Sequence, residues 1–118
     1  MKRFTLLFAL ALTPQLAPAE TTQGMMMMEA PAGASEATKG YVDAMNAMSM
    51  GMMQEFTGDA DRDFLLGMIP HHQGAIDAAR VVLAHGTDPD VRKFAQSIID
   101  AQEAEIAFMR DWLAKHPG

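Results

Sequence analysis

A chain of 118 residues holds one folded domain, and this one combines 12 methionines with no cysteine at all. Its formal net charge of −6, with no basic cluster, argues against nucleic acid and anionic lipid as partners.

Residues 1–19 predict a secretory signal peptide. Lys2 and Arg3 open it, Phe4 to Leu12 is nearly all apolar, and Ala17-Pro18-Ala19 supplies small residues at the cleavage site. The apolar run is shorter than the roughly 20 residues that span a bilayer, so the expectation is a periplasmic or secreted protein that keeps no membrane segment. Only Met1 among the methionines precedes that cut. Outside the cytoplasm, absent Cys and abundant Met suit a soft metal: a thioether has no proton to lose and favours Cu(I). Met is also a flexible core filler, and composition alone leaves both readings open.

Residues 20–36 read as a linker with no apolar periodicity, containing Met25-Met26-Met27-Met28. Four consecutive Met cannot all face one core, so the run is either a soft-metal tether or a greasy segment that docks on the domain. Residues 37–118 form the folded part. From Ala37 to Gln54 the apolar positions Tyr41, Met45, Met48 and Met52 follow helical spacing, with Ser35 or Thr38 as start cap; Gly40 and Gly51 weaken the helix by about 1 kcal/mol each. Phe56 to Asp59 is a turn.

A second helix is expected from Asp61 to His85, with Phe64, Leu65, Met68, His72, Ala75 and Ala79 along one side. Pro70 predicts a kink or break near Ile69, and Gly86 a left-handed cap. Asp59, Asp61 and Asp63 alternate like calcium ligands but lack the glycine and closing Glu of such loops, which leaves a helix start favouring the positive dipole end. A third helix runs from the Asp88-Pro89 start to Lys115. Three helices with short connections predict an all-α, small antiparallel bundle.

Three constellations carry candidate chemistry. On the second helix Met68 is flanked one turn on by His71 and His72, at about −60° and +40° on the wheel, so both imidazoles are placed to close on a metal with the thioether. On the third, Gln102 and Glu105 fall on the face meant for the core. A buried carboxylate needs a partner, and a histidine of the second helix or Arg80 or Arg110 would supply one; the first case would make Gln102 and Glu105 outer supports of metal-bound imidazoles. On the first helix Met45, Met48 and Met52 form a stripe that is either core or additional ligands, and Met50 and Met53 extend methionine beyond what a core asks for. No Glu-x-x-His pair, His-Glu-x-x-His, Cys nucleophile or phosphate loop is present, so a non-enzymatic protein is expected.

The string Met68-Ile69-Pro70-His71-His72-Gln73-Gly74-Ala75-Ile76-Asp77, with Gln102, Glu105-Ile106, Met109 and Trp112-Leu113, resembles the domain of unknown function 305 family. The resemblance implies a ferritin-like helical fold and, for the CopM type within that family, copper binding in the periplasm. It makes Met68, His71 and His72 ligand candidates, with Met45, Met48 and Met52 as auxiliary ones. Members often carry Met after the Asp of this string; here Ala78 stands there, and one thioether is missing. The expectation is an exported protein that sequesters or shuttles copper ions, Cu(I) favoured over Cu(II), for metal tolerance. Its alternative is a structural or interaction module that uses the Met-rich helical face to bind a partner or another copy of itself.

Overall fold

The computed structural model describes residues 27–118, and the sequence readings on residues 1–26, signal peptide and Met25-Met26 included, lie outside them. The chain is an all-α helical bundle of three helices: α1 Glu36–Met52, α2 Ala60–His85 and α3 Pro89–Lys115. No strand is present among the described residues.

Each helix starts where a side chain takes over orphaned backbone donors. Ser35 Oγ accepts from the Thr38 amide, Asp59 from Asp61 and Arg62, and Asp88 from Asp90 and Val91. In front of α2 the chain turns at Gly58, whose φ of +88° suits glycine. Asp63 accepts from the Thr57 amide and hydroxyl and from the Gly58 amide, locking this turn onto the helix. Those bonds, the Thr57 amide foremost, lower the Asp63 pKa below the ordinary carboxylate value, with Arg62 adding to the effect. The carboxylate therefore contributes stability above the ordinary aspartate pKa, and that contribution is lost as pH falls through the depressed value. Asp63→Asn is expected to flatten the acid limb of unfolding followed by circular dichroism; an unchanged acid limb would dissociate this turn from stability.

Of the kink or break expected at Pro70, the break does not occur: α2 is helical from Ala60 to His85. The proline ring is also a packing surface for α1: a Cβ added at Gly51 would lie 2.6 Å from Pro70 Cβ. Gly86 does not adopt the left-handed conformation but an extended one, φ −75° and ψ 147°. Its amide bonds to the Val82 carbonyl, and Arg92 Nη1 reaches back to the Leu83 and Gly86 carbonyls at 2.6 and 3.0 Å. A guanidinium from α3 thus satisfies the carbonyls that a left-handed glycine cap would otherwise have served.

The core lies between α2 and α3. Ile76, Ala79, Ala95, Ile99, Ile106 and Met109 are buried there, with Leu65, Met68 and Ile98 packed against them. α1 joins α2 by close approach at glycines. A Cβ at Gly40 would meet Val81 at 2.8 Å, and one at Gly74 would meet Met48 Cβ at 2.7 Å. Both are too near for any real Cβ, so Gly74→Ala is expected to cost about 1–3 kcal/mol of overpacking in urea unfolding. A cost indistinguishable from zero would show that the α1–α2 seam is loose. α1 and α3 make no contact with each other.

Candidate metal centre

Between α2 and α3, beside the core, lies a groove of about 230 Å³ lined by Phe64, Leu65, Met68, His72, Glu105, Phe108 and Met109. Its wall is almost wholly apolar, with one imidazole and one carboxylate set into it.

His72 is fixed at both ring nitrogens. Nδ1 lies 2.8 Å from the Met68 carbonyl oxygen and Nε2 lies 2.5 Å from Glu105 Oε2. A carbonyl only accepts, so Nδ1 must carry the hydrogen, and this sets the tautomer. Nε2 then turns its other bonding position toward a carboxylate oxygen. Two lone pairs do not approach to 2.5 Å, so a hydrogen lies between them; an ion bound to both atoms, with bonds of about 2 Å each, would hold them farther apart. Helical spacing produces the first contact, since the ring folds back one turn onto the carbonyl of residue 68. The second depends on the α2–α3 packing.

Glu105 is not buried as the wheel suggested: 62% of its side chain is exposed, against 14% for His72. It stands at the groove's rim, and its length lets the carboxylate reach in while solvent covers the rest. Its partner is His72. Arg80 instead reaches Asp77 and Glu103. Gln102, one turn before Glu105, is half-buried, and its Oε1 is buried with no hydrogen-bond partner.

The remaining candidates are placed apart from this groove. His71 is exposed, and its ring centroid lies 6.0 Å from that of His72 with the planes at 62°. Of the two rings, His72 lines the groove with Met68, and His71 is not among its lining residues. Adjacent residues on a helix diverge by about 100°, and the α3 packing captures only the one nearer its own side. Met48 is half-buried on Gly74 at the α1–α2 seam, whereas Met45 and Met52 are 47% and 43% exposed. The stripe is thus not a core, and it lies across α2 from His72. Met28 is held beside α1 by Asn46, which accepts from the Met28 amide and donates to its carbonyl at 2.8 and 2.9 Å. Met109 is the thioether that motif reasoning passed over. It was legible as an apolar α3 position, and only its groove places it with Met68 and His72. Among the described residues no three His, Asp or Glu side chains converge.

The family model for the domain of unknown function DUF305 matches residues 10–113. The chain belongs to the DUF305 family. The match spans all of α1 and α2 and nearly all of α3, so the groove is built entirely from DUF305 residues. The chain is also 38% identical over 53 residues to an uncharacterized protein of Acanthamoeba polyphaga mimivirus. That stretch covers 45% of this chain and 35% of the viral protein, so the chain spans about a third of that relative.

Proposed function

We propose that this protein is an exported copper-binding protein that holds copper in the α2–α3 groove and so sequesters or shuttles it, without catalysing a reaction. What supports this most is the meeting of His72 Nε2 and Glu105 in an apolar groove that Met68 and Met109 also line. Two thioethers, an imidazole and a carboxylate are a mixed donor set. Sulfur favours Cu(I), while imidazole and carboxylate also serve Cu(II). The residues fit the ion chemically: the Met68 carbonyl fixes the His72 tautomer that leaves Nε2 as the donor atom, the usual support for a metal-bound histidine. His71, Met45, Met48 and Met52 lie outside this set, and Gln102 makes no hydrogen bond through Oε1 that would brace either ring. The signal-peptide sequence and the absence of cysteine agree with a compartment where thiols oxidise. No helix among the described residues is long and apolar enough to cross a membrane.

Titration with Cu(I) against a competing chelator tests the proposal. One equivalent is expected to be retained, with affinity reduced at least ~10-fold in the Met68→Leu, Met109→Leu double variant, which preserves volume and removes both sulfurs. Equal affinity in parent and variant would sink the thioether site. A second reading is favoured by the same 2.5 Å contact: His72 and Glu105 are an interhelical ion pair that fastens α3 to α2. That reading predicts no copper retention and a loss of stability on Glu105→Leu.

A further inference from the structure

α1 and α3 pack on opposite sides of α2 without touching, so the helices form a single layer with two broad faces. Three grooves fix which side chains belong to which face, because residues on a helix advance by about 100° each. Gln73, Arg80, Glu103 and Arg110 line a groove on one side of the layer. Ala47, Gln73 and Asp77 line a second groove on that same side. This face is charged. Phe64, Met68, Glu105 and Phe108 mark the opposite side.

On that second face the helical rotation places Tyr41, Met45 and Met52 of α1, Ala75 and Ala78 of α2, and Phe94 and Ile98 of α3. It is apolar and open. Phe64, Phe94 and Phe108 are 62%, 65% and 64% exposed, Tyr41 40%. The polar side chains in its central stretch are Glu105, which His72 engages, and the exposed His71, one turn before Ala75.

We propose that a second copy of the chain covers this face, the two layers meeting face to face about a two-fold axis near Ala75 and Ala78. A single helical layer has nothing on which to bury an apolar face, and domains are stable as two or more packed layers. At about 150–250 Å² per aromatic side chain, the open parts of Phe64, Phe94, Phe108 and Tyr41 amount to roughly 350–580 Å². Met45 and Met52, with the alanines between, bring the face to the scale of about 800 Å² per partner that a stable interface buries. An identical copy suits the site because the patch is largely self-complementary: apolar meets apolar, Glu105 is held by His72, and Asp77 and Glu103 stay on the outer faces. Ala75 and Ala78 let the two α2 helices approach closely beyond His71, while Phe64 on α2 and Phe94 and Phe108 on α3 border that contact. The dimer does not rest on the copper reading.

Sedimentation of the full chain in metal-free, chelator-containing buffer from about 1 to about 100 µM tests this, a range that brackets stable association. The expected mass is twice that of the monomer. Phe94→Glu with Phe108→Glu is expected to weaken association at least ~30-fold while far-UV circular dichroism keeps its helical signal. Tyr41→Lys with Met45→Lys on α1 should do the same, and guards against a folding defect in the first variant. Gln96→Glu with Ala107→Glu, on the charged face, should leave association unchanged. A monomer throughout this range, or face variants that associate as tightly as the parent, overturns the proposal. So does a full-length monomer that dimerises only once residues 1–26 are removed, since the N-terminal segment would then be the occupant.

Discussion

His72→Ala is expected to lower Cu(I) affinity at least ~100-fold, whereas His71→Ala changes it less than ~3-fold, as read by chelator competition. The two histidines are adjacent in sequence and equivalent to any motif, so the asymmetry is a consequence of packing. His72 is 14% exposed at its side chain and lies in the α2–α3 groove with Met68, Met109 and Glu105, its Nδ1 held by the Met68 carbonyl. His71 is exposed, its ring 6.0 Å away and steeply inclined. Removing His72 takes the lone nitrogen donor from the groove and frees Glu105 into solvent, where an exposed carboxylate costs little. The loss should therefore appear in affinity with little change in the unfolding midpoint of the metal-free protein. Equal losses for His71 and His72 would show that the site lies elsewhere, on a geometry that brings both rings together.

Ile76→Ala is expected to cost about 2–5 kcal/mol in urea unfolding. Ile76 is the most enclosed large side chain, 1% exposed, at the middle of the α2–α3 seam. It shares its cluster with Ala79, Ala95, Ile99, Ile106 and Met109, and close-packed neighbours relax only partially into the space a truncated side chain leaves. Met52→Ala, at a side chain 43% exposed, should stay within about 0.5 kcal/mol. A cost for Ile76→Ala below about 1 kcal/mol would mean that α2 and α3 are not held together by this cluster.

The three helices were legible because their signals are local. Asp88-Pro89 starts α3 whatever it packs against, and the four-three-four spacing of Tyr41, Met45, Met48 and Met52 makes a helix irrespective of what that face touches. The same spacing could not say whether the face is covered. Wheel angles relate residues of one helix to each other, not to a neighbour, and so Glu105 was placed in a core that it only borders. Pro70 and Gly51 each count against a helix when taken alone; opposed across the α1–α2 seam, they form a close contact that neither position announces.

By itself the sequence determined the all-α architecture, the boundaries of α1 to α3 and the membership of Met68, His71 and His72 in one motif, because each follows from backbone propensities and spacing along the chain. Only the tertiary structure decided that α3 rather than α1 faces His72, that Met109 joins Met68 in the groove, that His71 is left outside, and that Arg92 closes the end of α2. These depend on which helices meet and at what rotation. That choice is set by the summed burial of Ile76, Ile99, Ile106 and their neighbours, a property of the whole core that no single stretch of chain records.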